Sequence, residues 1–254
     1  MSAPHAARAV GIDIGGTGIK GGIVDLASGE LISDRVKILT PEGGRPDDII
    51  KTVAEIIDRL GPDAESVPLG VAFPAIVRGG KTMSAANVSK EWIGLDAHAR
   101  FGEALGRPLT FVNDADAAGF AESEFGAARG EDGLSLVITL GTGIGAGAVY
   151  NGTLIPNFEL GHLEIDGHDA ETRASYRAKE RDDLDWAEWA ARLQRYFETL
   201  EFLFSPDRII VGGGVSKHHE HFLPLLTLDA PIMPAVHRNK AGILGAAAFA
   251  ARAQ

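Results

Sequence analysis

The sequence predicts an α/β protein of two similar lobes around a ligand cleft. Residues 11–25, GIDIGGTGIKGGIVD, read as a strand, a Gly/Thr-rich turn and a second strand, and residues 139–150, TLGTGIGAGAVY, repeat the pattern more weakly. Each hairpin is followed by helical and strand-like segments. No flexible linker or low-complexity tract interrupts the 254 residues, a length that buries a real core as one large domain or two small lobes. A repeated unit implies internal duplication with the ligand between the halves. The expected division is a small N-terminal lobe, residues 1–114, completed by a helix over 241–254, and a large C-terminal lobe, residues 115–240.

Glycine reaches positive φ and lets a bound group approach the backbone, and a Gly/Thr loop aims several N–H groups one way, as phosphate cradles do. Gly16-x-Gly18-x-x-Gly21 also fits the dinucleotide fingerprint, and Gly141-x-Gly143-x-x-Ala146 nearly does. That fingerprint opens a helix. Here Gly22-Ile23-Val24-Asp25 and Gly147-Ala148-Val149-Tyr150 follow, both β-prone, so it is rejected. Lys20 is not placed as a Walker A lysine. Ordinary hairpin turns are the plain alternative. Two such loops in one chain instead suit a polyphosphorylated ligand clamped from two sides.

Along the chain, residues 31–39 read as a third strand after the Ser28-Gly29 turn. A helix follows from about Asp47 or Asp48, with Ile49, Ile50, Val53, Ile56, Ile57 and Leu60 on one face, stopped by Gly61-Pro62. Residues 69–73 are a buried strand ended by Pro74, and residues 109–112 another. The latter runs into Asn113-Asp114 and an Ala-rich helix through about Phe125, which places both side chains at a strand's carboxyl end, where open α/β sheets bind ligands. The second half restarts at Leu134 with the echo hairpin, closed at Asn151-Gly152. Residues 156–175 are polar without a clear period. A long amphipathic helix then carries Trp186, Trp189, Leu193, Phe197, Leu200 and Phe204 on its core face, opened by an Asp185/Glu188 capping box and ended by Ser205-Pro206. A strand over 208–211 enters Gly212-Gly213-Gly214, and an Ala-rich helix over 241–251 packs back on the first lobe.

The formal charge of −11 argues against nucleic-acid binding, so an anionic substrate needs a local basic patch. Lys90, Lys217, Arg238 and Lys240 are candidates for it, with solvated surface charge as the bland reading. With no cysteine there are no disulfides and no thiolate metal sites, which fits a cytoplasmic protein. No apolar run approaches the ~18 residues of a membrane span, and MSAPHAARA lacks the apolar stretch of a signal peptide.

Asp114 is the strongest candidate for a general base. Phosphoryl transfer to a hydroxyl needs the acceptor aimed in line, its proton accepted and the phosphate charge neutralised. A carboxylate facing two phosphate loops supplies the first two. The alternative is that Asp114 merely caps the following helix, and Asp116 is the rival base. Asn157-Phe158-Glu159-Leu160-Gly161-His162-Leu163-Glu164 is the densest cluster of hydrogen-bonding side chains and suits pyranose hydroxyls. His162, Glu164, Asp166, His168 and Asp169 also admit a metal reading, without a standard spacing. The run His218-His219-Glu220-His221 reads as a solvated loop. Asp13 either holds Mg²⁺ through water or only fixes its turn.

These residues resemble the ROK family of sugar kinases (repressor, open reading frame, kinase). Asp13, Gly15, Gly16, Thr17 and Lys20 match its DxGGTxxK signature, and the likeness continues through Asn113-Asp114, Leu140-Gly141-Thr142-Gly143-Ile144-Gly145, Glu159-x-Gly161-His162 and Gly212-Gly213-Gly214. More narrowly, Asn87-Val88-Ser89-Lys90-Glu91-Trp92, the stretch from Glu159 to Gly167, and Gly214-Val215-Ser216-Lys217 are similar to the polyphosphate glucokinase and polyphosphate/ATP glucomannokinase branch. The resemblance implies a two-lobed actin/hexokinase-like (ribonuclease H-like) ATPase fold, a homodimer, and phosphorylation of the 6-hydroxyl of glucose by inorganic polyphosphate, with ATP as a further donor. It makes Asp114 the base and Asn87, Asn113, Glu159 and His162 sugar ligands. Asp13, Thr17 and Thr142 would handle phosphate and Mg²⁺, with Gly15, Gly16, Lys20, Gly141, Gly143, Gly213, Gly214 and Lys217 around the donor. Members usually follow the histidine with a cysteine-rich zinc segment; residues 167–181 are polar and cysteine-free, so no zinc is expected. Glu171 stands nearest to the sugar-binding glutamate that usually follows those cysteines. Only ten residues precede Gly11, which argues against a DNA-binding repressor. Two other readings stand beside this one: an ATP-dependent kinase for mannose or an N-acetylhexosamine, and a non-catalytic sugar sensor.

Overall fold

The Val/Ile-rich runs of the sequence become the central strands of two sheets in a computed structural model that describes residues 6–253. In the first sheet, strands Arg8–Ile14 and Ile19–Asp25 form the hairpin, and Leu69–Phe73 and Thr110–Asn113 add on parallel to the first of them. In the second, Leu134–Leu140 and Ile144–Tyr150 form the hairpin, Thr153–Phe158 pairs at its outer edge, and Arg208–Gly212 and Ile232–Pro234 add on parallel. Strand order is the same in both: third, second, first, fourth, fifth. The duplication implied by two glycine loops is therefore carried through the topology of both sheets.

The two third strands differ from the expected pattern. The first is not one strand over 31–39 but two short pieces, Glu30–Leu31 and Val36–Ile38. The break has a physical cause: Ser33 Oγ accepts from Ile23 N at 2.9 Å, so a side chain replaces the main-chain partner there. The second runs on to Phe158, into the stretch that showed no period. A bulge opposite Ala146–Ala148 hides its alternation, with Asn157 at φ +64° and Pro156 unable to donate. Most of the rest of that stretch folds as well, into a short hairpin, Glu164–Ile165 with His168–Asp169, and the helical turn Glu171–Ala174, with a second turn, Tyr176–Arg181, just beyond it.

Helix Pro46–Leu60 buries Ile49, Ile50, Val53, Ile56 and Ile57 against the first sheet. Helix Trp186–Phe204 opens on the Asp185/Glu188 capping box and buries Trp189, Leu193, Tyr196, Phe197 and Leu200 against the second. The His218–His221 run is solvent-exposed at Glu220 and His221, as the solvated reading expects, but it is not a loop. It ends a 3₁₀ helix, Gly214–His221, and the rings of His218 and His221 pack on Trp186 with centroids at 5.9 and 5.2 Å, because the half-buried indole offers an apolar face.

Between the sheets lie two small-residue helices, Asp114–Phe125 and Ala241–Arg252. Each follows the fifth strand of one sheet and packs on the other sheet. They touch at backbone distance: a Cβ on Gly245 would stand 1.7 Å from the carbonyl oxygen of Ala117. On the second sheet, a Cβ on Gly147 would meet the carbonyl oxygen of Ala115 at 2.6 Å. No rotamer relieves a clash with backbone, so these positions require glycine. Gly245→Ala is expected to lower the melting temperature by about 5 °C or more, from a strain of at least ~1–3 kcal/mol. Gly102→Ala, in helix Ala97–Leu105 with its nearest new contact at 3.7 Å, is expected to leave it unchanged or slightly raised. Thermal melts followed by circular dichroism check both.

Candidate active site

Both central helices point their N-termini into the cleft between the sheets. The cleft has two chambers of 180 and 520 Å³ that share Asp114, Ala115, Thr139 and Gly213. The smaller adds Asp13, Lys20, Arg238, Asn239 and the first residues of the C-terminal helix, Ala241 and Gly242. The larger adds Asn87, Asn113, the second glycine loop Gly141-Thr142-Gly143, Glu159, His162, Glu171 and Arg177. Asp114 thus stands where the chambers meet.

Local structure explains how it stands there. Asn113, the last residue of its strand, caps the helix: its Oδ1 accepts from Ala115 N at 2.8 Å and Asp116 N at 3.0 Å. Its Nδ2 donates to the carbonyl of Ala75 at 3.1 Å, so one amide N–H remains for a ligand. The capping role considered for Asp114 is therefore filled by its neighbour. Asp114 takes the first helical position, where Oδ1 accepts from Ala115 N at 2.9 Å and Oδ2 has no partner among the described residues. Burial, and then the nearby carboxylates Asp13 and Glu159, push its pKa up to about 7.

Asp116 is equally raised, to about 7 and chiefly by burial, but it lines neither chamber. Its Oδ2 accepts from Asn157 N at 2.8 Å. The Asn157 side chain in turn bonds the N–H and carbonyl of Val77, at 2.8 and 2.9 Å, and joins the edge of the second sheet to the first lobe instead of facing a sugar.

The first glycine loop is closed by Gly15 N to the Gly18 carbonyl at 3.2 Å, and Thr40 Oγ1 donates to the Gly15 carbonyl. Asp13 pairs with Lys20 across the hairpin at 3.1 Å. Gly15, Gly16 and Thr17 form the loop tip rather than the chamber lining, although Gly16 abuts Asn87. The second loop is closed by Gly141 N to the Gly143 carbonyl at 3.0 Å, and Glu171 accepts from Ile144 N at 3.1 Å. Gly214 and Lys217 are exposed and line neither chamber. Of the four cations considered for a basic strip, only Arg238 reaches a chamber.

On the wall of the larger chamber, His162 Nδ1 lies 2.8 Å from Asp169 Oδ2, and that bond holds the imidazole's pKa above its usual value. Burial pushes Glu159 up, opposed by His162. The ligand atoms of His162, Asp169 and Glu171 lie within 4.8 Å of one another. The other members of the metal reading go elsewhere, Asp166 to Arg195 and His168 to Arg173, and Glu164 is not in the group.

Thr139, Asn239 and Arg177 line the cleft without having been singled out in the sequence. Thr139 was legible: it holds the position in the second hairpin that Asp13 holds in the first, one residue before the strand's end. Arg177 sits on a helical turn that no periodicity announced.

A profile of the ROK family matches residues 9–177. The chain belongs to the ROK family. Among its relatives this ROK chain is 47% identical over 238 residues to the polyphosphate glucokinase of Mycobacterium tuberculosis, covering 93% of this chain and 89% of that protein. Among solved structures it superposes with a TM-score of 0.93 and 53% identity on the inorganic polyphosphate/ATP-glucomannokinase of Arthrobacter sp. strain KM, covering 98% and 100% of the two chains. The ROK hexokinase of Thermus thermophilus follows at TM-score 0.77 and 28% identity, covering 96% and 97%. The fold is accordingly the actin/hexokinase-like one. Among the described residues, no helix is long and apolar enough to cross a membrane.

The raised Asp114 pKa makes a stability prediction. A carboxyl at 3.8 when unfolded and about 7 when folded stabilises the fold fully below pH ~4 and loses that contribution as pH rises through ~7. Asp114→Asn should therefore melt above the wild type at about pH 8 and level with it near pH 4. Melts at the two pH values check the sign.

Proposed function

We propose that this chain transfers the terminal phosphoryl group of inorganic polyphosphate, and of ATP, to the 6-hydroxyl of glucose, giving glucose 6-phosphate. The observation that carries this reading is the place of Asp114, a partly neutralised carboxylate at the junction of two chambers of different lining. The kinship with a polyphosphate glucokinase and a polyphosphate/ATP-glucomannokinase supplies the substrates.

The larger chamber takes the sugar. Asn87, Asn113, Glu159, His162 and Glu171 pair with its hydroxyls, each of which offers one donor and two acceptors. The smaller takes the donor's phosphates, between the hairpin residues Asp13 and Thr139 and the N–H groups of two helix N-termini, and Gly141, Thr142 and Gly143 meet the donor from the larger chamber. Lys20, Gly213 and Arg238 complete it, with Gly15, Gly16, Thr17, Gly214 and Lys217 along the approach. The 6-oxygen attacks the terminal phosphorus, the bond to the bridging oxygen breaks, and its electron pair leaves with the shortened polyphosphate. The hydroxyl proton passes to Asp114 Oδ2. A base with a pKa near 7 is matched to this task at neutral pH.

Mg²⁺ fits the smaller chamber. Asp13 and Asp114 face it together, and the Asp13 charge raises Asp114, so a cation relieves a repulsion built into the site. Asp13 would hold the ion through water, and the ion would neutralise phosphate oxygens. Closure of residues 1–114 and the C-terminal helix on residues 115–240 excludes water, itself an acceptor. A cytoplasmic homodimer completes the reading.

Asp114→Asn is expected to cut kcat by about 10²–10⁴-fold while the fold and glucose affinity persist. In the wild type, kcat/KM should fall as pH drops through ~7, where the base becomes protonated. A coupled glucose 6-phosphate assay across pH measures both, and near-normal turnover of the variant removes Asp114 from the role. Arg238→Ala should raise KM for long-chain polyphosphate about threefold to tenfold at low salt, more than for ATP, and the difference should shrink as salt screens it. Steady-state kinetics with both donors at two ionic strengths test this.

A further inference from the structure

The sugar-facing wall is made by one short stretch in which three side chains reach the chamber and a fourth stands behind them. Glu159 precedes the turn Leu160–His162, and Glu171 opens the helical turn Glu171–Ala174. Glu159, His162 and Glu171 line the chamber; Asp169 does not. Its carboxylate touches two of the three from behind: Oδ2 lies 2.8 Å from His162 Nδ1, and Oδ1 accepts from Glu171 N at 3.2 Å.

Asp169 is itself held in place. It pairs with Glu164 across the short hairpin, and the adjacent Ala170 N donates to the Leu163 carbonyl at 2.9 Å. Its own carbonyl accepts from Thr172 Oγ1 at 2.6 Å. The hairpin tip, with Asp166 at φ +53° and Gly167 at φ +78°, is tied to the long helix by Asp166, whose two oxygens accept from Arg195 Nη2 and Nε at 2.9 and 3.0 Å. Fork geometry of this kind fixes orientation as well as distance.

We infer that Asp169 is the positioning residue of sugar recognition: it engages His162 Nδ1, so that Nε2 is the ring nitrogen left for a sugar hydroxyl, and it seats the backbone from which Glu171 enters the chamber. The inference rests on the sugar-site reading of the larger chamber. The chemistry is that of a carboxylate behind a ligand histidine. With the neutral ring's proton on Nδ1 and donated to Asp169, Nε2 is a fixed acceptor. Without Asp169 the ring is free to turn toward Glu159 and Glu171, whose charges both act on it, and each such pairing removes a partner from the sugar.

Asp169→Ala is expected to raise KM for glucose about tenfold or more, the loss of one hydrogen bond to a charged group. Here kcat and the KM for polyphosphate change less than about twofold. Asp169→Asn, whose amide oxygen still accepts from Nδ1–H, should recover most of the glucose KM, and it keeps the test valid should the alanine variant melt early. In a His162→Ala background, Asp169→Ala should add less than about threefold, the part carried by the backbone of Glu171; effects that multiply in full would show that Asp169 does not act through His162. Nitrogen-15 NMR of His162 in its neutral form supplies a reading without substrate. The expected proton sits on Nδ1 in the wild type and moves to Nε2 in Asp169→Ala. A wild-type ring protonated on Nε2 overturns the positioning role, whereas a wild type that neither binds nor phosphorylates glucose overturns the function and leaves the ring assignment to be judged by the spectrum.

Discussion

The contact on which the rest depends is the backbone-distance packing of the two small-residue helices, closest where Gly245 sits over the Ala117 carbonyl. Helices at this distance exclude large side chains, which is why Asp114–Phe125 and Ala241–Arg252 are so rich in alanine and glycine. Because each helix packs on the sheet it did not come from, the pair ties the two lobes together at their N-terminal ends. Those ends line the cleft. Asp114 occupies the first turn of one helix, and Gly242 in the first turn of the other leaves no room for a Cβ, which would stand 2.7 Å from Asp13 Cγ. The two hairpin positions that meet the helices, Asp13 and Thr139, both line the smaller chamber.

The side chains of the cleft share the negative sign of the whole chain. A chain of net charge −11 gathers Asp13, Asp114, Glu159 and Glu171 around the proposed site for polyphosphate and sugar. Backbone N–H groups, two helix N-termini, Lys20 and Arg238 supply the local positive field. The crowding of carboxylates also matches the proposed role, since burial and the Asp13 charge raise Asp114 to about 7, where a base acting at neutral pH would titrate. Asp116, three residues from the strand end, is raised as far, chiefly by burial with the Glu159 charge adding to it, but is spent on Asn157. A perturbed pKa alone therefore does not distinguish Asp114 from Asp116; the proposal of Asp114 as base rests on the pKa together with its place in the cleft.

Much of this was legible in the residues. The hairpins announce themselves through glycine loops between β-branched runs, and the strand–Asn–Asp–helix order alone puts Asp114 at a strand's carboxyl end. Where reading failed, the determining contact was non-local or a side chain stood in for backbone. Ser33 broke a strand by taking the place of a main-chain acceptor, and a bulge at Asn157 concealed another strand's period. The packing of His218 and His221 on Trp186 escaped the sequence because the indole lies some thirty residues earlier in the chain. Asp169 reaches His162 only after the chain reverses at Asp166-Gly167, a turn that a search for metal-ligand spacing passes over.

The most direct test of the whole account follows the phosphorus atom. Phosphorus-31 NMR of the purified protein with glucose, Mg²⁺ and long-chain polyphosphate should show a sugar phosphomonoester resonance growing as the polyphosphate signal declines. The monoester should match added glucose 6-phosphate. A growing orthophosphate signal without the monoester, or a monoester formed from ATP but never from polyphosphate, would contradict it.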